Sequence, residues 1–202
     1  MQRLQQRLAL LLLGCLLTAC AGVQREATPT TGWDEHRQRL AALQHWTAAG
    51  KLAVRSPEQS ESASLLGQQV GQATHLRLSG PLGVSATTVH SDGREVLIRR
   101  GSESSQLDIS DPDFLYRQTG RNLPLAALPH WLKGIPDPAV PVDDLSLQPE
   151  RELLRELRQS GWLVRYESYG EFDGLLLPTA MRMLREGYSV RLLLRDWRGF
   201  AP

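Results

Sequence analysis

Leu76-Arg77-Leu78-Ser79, then Gly80-Pro81-Leu82-Gly83, then Val84-Ser85-Ala86-Thr87-Thr88-Val89 reads as strand, turn, strand. Leu76 and Leu78 alternate with Arg77 and Ser79. Val84, Ala86 and Thr88 alternate with Ser85, Thr87 and Val89. A period of two places one set of side chains on each face of a sheet. Pro81 and Gly83 suit a tight turn. Leu82 is then the odd residue, a large apolar side chain at a turn tip. Either it folds back to plug the core, which periodicity alone favours, or it stands out as an apolar probe for lipid.

The same period extends on both sides. Leu52 and Val54 alternate with Ala53 and Arg55, and Ser64 to Gln69 is a weaker run. Ser91-Asp92-Gly93 signals a hairpin, after which Val96 and Ile98 alternate with Leu97 and Arg99 until Gly101-Ser102 turns the chain. Strands return at Trp162 to Ser168, Met181 to Arg185 and Tyr188 to Trp197, with turns at Gly170 to Gly174 and Glu186-Gly187. Pro178-Thr179 precedes the second of these strands. Three segments read as helix. Trp33 to about Ala48 has Leu40, Leu43 and Trp46 near helical spacing, Asp34 and Glu35 in the first turn, and Gly50 as its stop. Ser110-Asp111-Pro112-Asp113 opens a second, ending at Gly120. Pro124 opens a third through Leu125, Leu128, Trp131 and Leu132, with Pro129 kinking or shortening it. Glu150 to Arg158 has helical composition, yet Leu153, Arg155 and Leu157 also alternate as a strand. Short strands at this spacing predict an antiparallel sheet or barrel with one buried face, covered by the mid-chain helices.

The start of the chain has a different logic. Arg3 and Arg7 precede an apolar run from Leu8 to Leu17 interrupted by Gly14 and Cys15. That is signal-peptide length, short of the roughly 20 residues of a membrane span. Leu17-Thr18-Ala19-Cys20 resembles the lipobox of bacterial lipoproteins. The resemblance implies cleavage before Cys20, a diacylglycerol thioether on its sulfur and an acyl group on its new amine. Two or three acyl chains at about 0.8 kcal/mol per buried CH₂ hold a protein on a bilayer almost permanently. Ala21 stands where an Asp marks inner-membrane retention in enteric lipoproteins, which points to the outer membrane. The expected organisation is a signal over residues 1–19, an acylated flexible tether over 20–32 and one domain over 33–202.

The chain has 23 basic and 22 acidic side chains among 202 residues. Removing the signal takes away two arginines and leaves a near-neutral body, which argues against a nucleic-acid partner held by bulk charge. Beyond Cys20 there is no thiol, so neither a disulfide nor a cysteine metal ligand is available to the domain. The sequence has no Gly-x-Ser-x-Gly, His-Glu-x-x-His, Walker loop or Gly-x-Gly-x-x-Gly. His36, His45, His75, His90 and His130 are scattered singly and read as surface or interfacial side chains. Asp111/Asp113 and Asp143-Asp144 read as caps and solvated loops. No catalytic or metal-binding residue is assigned and no enzyme is expected.

Taken in order, the lipobox, Trp33, Leu76 to Gly83, Trp131-Leu132-Lys133-Gly134-Ile135-Pro136, Gly161-Trp162-x-Val164-x-Tyr166, Leu177-Pro178 and Val190-x-Leu192-x-Leu194-x-x-Trp197 resemble the outer-membrane lipoprotein LolB family. The resemblance implies an unclosed antiparallel β-barrel with helices covering the opening and an apolar cavity beneath. It implies an acceptor that takes lipoprotein clients from a LolA-type periplasmic carrier, holds their acyl chains, and inserts them into outer-membrane phospholipid, working as a monomer without a cofactor other than the N-acyl diacylglycerol on Cys20. The family's protruding leucine maps onto Leu82, in the loop Pro81-Leu82-Gly83. Candidate cavity residues are Leu52, Val54, Leu66, Leu76, Leu78, Val96, Ile98, Leu128, Trp131, Leu132, Trp162, Val164, Met183, Val190 and Leu192; an ordinary filled core would use the same side chains. Two departures stand out. Leu65-Leu66-Gly67 lies where the family often has aromatics, and Glu150 to Arg158 should be strand. The alternative function is an anchored lipid-binding or scaffold lipoprotein without insertion activity.

Overall fold

The structure, a computed structural model, describes residues 31–58, 60–80, 86–108 and 125–201. Cys20 and the tether up to residue 30, the loop residues Pro81-Leu82-Gly83 with Val84 and Ser85, and the helix expected over Ser110–Gly120 lie outside the described residues.

Alternation builds one eleven-stranded sheet. Its strands are β1 (His45–Arg55), β2 (Ser60–Val70), β3 (Ala73–Ser79), β4 (Thr87–Ser91), β5 (Glu95–Arg100), β6 (Glu103–Asp108), β7 (Val142–Leu147), β8 (Leu154–Gln159), β9 (Trp162–Phe172), β10 (Leu175–Arg185) and β11 (Tyr188–Ala201). The order is β6-β5-β4-β3-β2-β1-β11-β10-β9-β8-β7. Two antiparallel meanders are therefore joined where the first strand pairs the last, and β6 and β7 are left as the two edges. The barrel is unclosed, as expected.

Register carries the inner face across the strands. One row runs Trp197, Ala48, Gly67, Leu76, Val89, Ile98. Another runs Tyr166, Met181, Leu192, Leu52, Ala63. Against this face pack α1 (Thr31–Ala42), through Trp33 and Leu40, and α2 (Leu128–Lys133), through Trp131 and Leu132.

Several expectations are corrected. The first helix begins at Thr31, inside the stretch read as tether, and ends at Ala42, not Ala48. Trp46 and Ala48 are buried at a spacing of two, because β1 pairs on both sides. Gly50 is no helix stop: it sits at a register shift where a Cβ would meet the Leu193 carbonyl oxygen at 2.0 Å. The third helix is short, as one of the two alternatives for Pro129 had it: it runs from Leu128 to Lys133 with Pro129 in its first turn, where the missing N–H has no partner to lose, so Pro129 kinks nothing. Gly170 lies within β9, leaving Asp173-Gly174 as the turn, and Pro178 lies inside β10 beside a register shift, where a ladder bond is already lost. Asp143 and Asp144 belong to the edge strand β7, not to a loop. The ambiguous segment is strand from Leu154, the family-based choice.

Candidate functional site

The candidate site is the concave side of the sheet. At the end of the barrel where β3 finishes and β4 starts, a cavity of about 570 Å³ opens, bordered by Leu52, Val54, Ala63, Leu78, Gly80 and Thr87 among others. Its apolar lining comes from Leu52, Val54, Ala63 and Leu78, and Ser60, Ser62 and Thr87 add polar groups. Glu61, opposite Val54, and Arg100, opposite Thr87, stand at the lip in inward register and keep it wetted. Gly80 is the last described residue before the Pro81-Leu82-Gly83 loop, so that loop leaves from the cavity's border.

The expected lining residues divide into groups. Leu52, Val54 and Leu78 border the open cavity. Leu76, Val96, Leu128 and Leu132 meet, with Val89, around a crevice of about 10 Å³ between α2 and the sheet. Trp131, Val164, Met183 and Leu192 are packed in the core, and Ile98 and Val190 are half-buried against it. Trp162 is buried at the rim beneath Arg185, whose guanidinium carbon lies 5.9 Å from the ring centroid. It borders a shallow groove of about 680 Å³ that runs over the rim between hairpin ends and is lined by Arg55, Asp143, Arg158, Arg185 and Glu186 as well as apolar side chains. Leu66 is a correction. Leu65 and Gly67 take the inner face of β2, so Leu66, one residue out of phase, points to the outer face opposite Ala49 and Arg77.

Gly67, in the stretch where the family often has aromatics, is filled from its neighbours. A Cβ there would lie 3.2 Å from Leu76 Cδ2 and 3.5 Å from the Trp46 ring. Trp46 in turn packs on Trp197 with ring centroids 5.3 Å apart and donates its indole N–H to Gln69. The aromatic surface comes from β1 and β11 instead of β2. Gly67→Trp is therefore expected to overpack this wall and cost about 1–3 kcal/mol, read as a lowered urea midpoint at unchanged slope.

Polar anchoring is concentrated around α2 and the strands β8 and β9. Gln159 is wholly buried at the end of β8. Its Oε1 accepts from Trp131 Nε1 at 2.9 Å and from the Asp137 amide at 3.0 Å. Its Nε2 donates to the carbonyls of Asp137 and Val140 at 2.8 and 2.9 Å. Tyr166 donates to the Trp131 carbonyl at 3.0 Å, and Tyr169 to that of Leu154 at 2.8 Å. Burial pushes both phenols well above their ordinary range. Lys133, buried at the end of α2, donates to the Leu43 carbonyl at 3.3 Å, and burial pulls its pKa down to about 8. None of these polar residues was singled out as a site in the sequence. The available signal was Trp131-Leu132-Lys133, which places a lysine directly after two core residues. The five histidines are also not all isolated: His75 and His90 meet across β3 and β4, ring nitrogens 3.0 Å apart.

A curled, unclosed antiparallel sheet with helices on its concave side is the architecture of the LolA superfamily, and solved structures agree at the level of fold. A LolA superfamily protein from Nitrosomonas europaea superposes with a TM-score of 0.53 at 11% identity, over 83% of this chain and 93% of that one. A DUF1329 family protein from Desulfovibrio piger gives 0.51, also at 11% identity, over 83% and 91%. The family described as outer membrane lipoprotein LolB matches residues 44–197. The outer-membrane lipoprotein LolB of Tolumonas auensis is 29% identical over 197 residues, 97% of this chain and 98% of its own. That of Pseudomonas syringae is 34% identical over 188 residues, 91% of each chain. The chain belongs to the LolB family and is an outer-membrane lipoprotein of the Lol pathway.

Proposed function

We propose that this protein accepts lipoproteins from a LolA-type periplasmic carrier, holds their acyl chains on the concave side of its barrel, and releases them into the inner leaflet of the outer membrane. The observation that carries the reading is the cavity of about 570 Å³ whose border reaches Gly80, where the chain enters the Pro81-Leu82-Gly83 loop. Its size lies within the range of small-molecule sites, and its aliphatic side chains, Leu52, Val54, Ala63 and Leu78, match a ligand that contributes about 0.8 kcal/mol per CH₂ removed from water. Hand-over then needs no reaction chemistry and no nucleotide. A tenfold affinity step from carrier to acceptor corresponds to about 1.4 kcal/mol, less than two methylenes of better burial. Cys20 carries the acyl anchor. Leu82 acts at the release step, as an apolar side chain that enters the leaflet.

The test separates acceptance from release. An acylated client loaded on purified carrier is mixed with the acylated protein in vesicles, without an energy source. The parent is expected to take the client and pass it to lipid. Leu82→Glu should take the client equally well and release at least tenfold less, since a carboxylate at the loop tip opposes entry into hydrocarbon. Full release by the variant would remove Leu82 from the mechanism. Failure of the folded parent to take the client would favour the lipid-binding or scaffold alternative.

A further inference from the structure

The near-neutral charge of the chain hides a segregation that appears only when the strands are placed side by side. Six neighbouring strands, in the order β4-β3-β2-β1-β11-β10, contain two carboxylates between them, Glu61 and Asp196. Glu61 lies in inward register opposite Val54, and Asp196 is held by Arg198 at 2.8 Å. The outer face of the same strands carries Lys51, Arg55, Arg77, Arg182 and Arg191, and among the described residues Lys51, Arg55 and Arg77 have no ion pair. Arg182 and Arg191 stand directly opposite each other, an arrangement that destabilises a sheet. Glu167, on the next strand, is shared between them at 3.1 and 3.4 Å and cannot neutralise both. Between these cations the outward positions are small or aliphatic: Ala53, Ser62 and Ser64 stand with Leu66 and Leu193. From Arg77 on β3 to Arg182 on β10 is four strand spacings, about 19 Å.

We infer that this outer face rests on an anionic phospholipid surface. A cation-rich face with small and aliphatic residues between long basic ones fits a flat, continuously negative layer of phosphates over hydrocarbon better than a shaped protein pocket. Arginine forks pair well with phosphate oxygens. An outer-membrane lipoprotein works beside such a layer, and each Lys or Arg brought to an anionic surface favours the bound orientation about fivefold. The rim groove beside Arg55 and Arg158 continues this face and also contains Asp143 and Glu186, so headgroup contact is strongest over β10, β11, β1 and β3. The inference depends on the outer-membrane placement and is independent of the client hand-over.

The experiment uses the acylated protein anchored in vesicles, so that orientation is read and binding is not. Beyond Cys20 the domain has no thiol, which makes Ser64→Cys a single labelling site in the middle of the face. An environment-sensitive fluorophore there is quenched by lipids spin-labelled on the headgroup when the face lies down. Quenching should be about fivefold or more stronger in phosphatidylcholine vesicles with about one third phosphatidylglycerol than in phosphatidylcholine alone. High salt should remove the difference. So should the variant Lys51→Gln/Arg77→Gln/Arg182→Gln/Arg191→Gln, which relieves like-charge contacts and keeps the fold, checked by thermal unfolding. Equal quenching in both vesicles, or a variant quenched like its parent, overturns the inference. If the variant keeps the quenching and loses only transfer from the carrier, the face serves an acidic protein and the membrane assignment is wrong.

Discussion

Gln159→Met is expected to cost about 4 kcal/mol or more of unfolding free energy, an unusually large effect for one polar side chain. The volume barely changes, so the loss does not come from packing. It comes from polar groups left without a partner: the Trp131 indole N–H and the amide and carbonyl of Asp137, all buried, and the part-buried carbonyl of Val140. Each stranded buried group costs about 1–3 kcal/mol. Trp131→Phe makes the contrast. It removes the indole donor together with its bond and leaves the other three contacts of Gln159 in place, so about 1–2 kcal/mol is expected from the lost bond and ring volume. Urea unfolding of both variants checks the ordering. A Gln159→Met cost no larger than that of Trp131→Phe would mean that the carbonyls find other donors, and the network would lose its role as the anchor of α2.

That anchor bears on function. The Gln159 network, the Tyr166 bond to Trp131 and the Lys133 bond to Leu43 all hold α2 from its buried side. Among the described residues, the cavity border at Leu52, Leu78 and Thr87 has no buried side-chain network of this kind. On the proposed function, the ligand is held at this open end, while α2 stays fixed against the core.

The sheet was legible because its signal is local. Period-two alternation at Leu52–Arg55, Leu76–Ser79 and Tyr188–Trp197 survives whatever the strands pair with. Where tertiary pairing decides, local patterns misled. Leu40, Leu43 and Trp46 keep helical spacing, but Trp46 is drawn into β1 because two neighbouring strands hydrogen-bond that segment. Glu103–Asp108 and Val142–Leu147 escaped notice as strands because edge strands are polar: only Leu107 of the first is buried, and Leu145 of the second is 38% exposed. For the cavity, alternation found the inner face, with Leu66 a one-residue slip beside Leu65. It gave no means of separating side chains that border open space from those that fill the core, since Leu52 and Leu192 carry the same signal and stand opposite each other in the ladder. Gln159 was invisible for a related reason. A buried amide is recognised by its partners, and these lie 19 to 28 residues away.

Lys133 sets the pH dependence of stability, in the direction opposite to a paired lysine. Its ammonium is buried with one carbonyl partner, and no carboxylate lies within ion-pair distance among the described residues. The charged groups around it are His130, itself lowered by burial, and Asp137, which stands 4.0 Å from that imidazole. The folded pKa of about 8 lies below the ordinary 10.5. Between these two values the unfolded chain binds more protons than the folded one, so stability rises with pH across this window. The full shift corresponds to a gain of about 3 kcal/mol. Tyr166 and Tyr169, raised by burial, act with the opposite sign above pH 10, because the unfolded phenols lose their protons first. The lowered histidines His36, His90 and His130 act below pH 6.5 and leave the lysine window clear. Unfolding free energy should therefore climb from pH 7.5 to a maximum near pH 10, then fall. Lys133→Met, which exchanges the ammonium for an apolar group of similar length, should be about 1–3 kcal/mol more stable at pH 7 and flat from pH 7.5 to 9.5. A parent curve that is level over that range, or a methionine variant less stable at pH 7, would show that the folded chain holds the ammonium without strain, through the Leu43 carbonyl and bound water. The lysine would then be a source of cohesion between α1's exit and the end of α2, and the site would have no reason to gain from losing its charge.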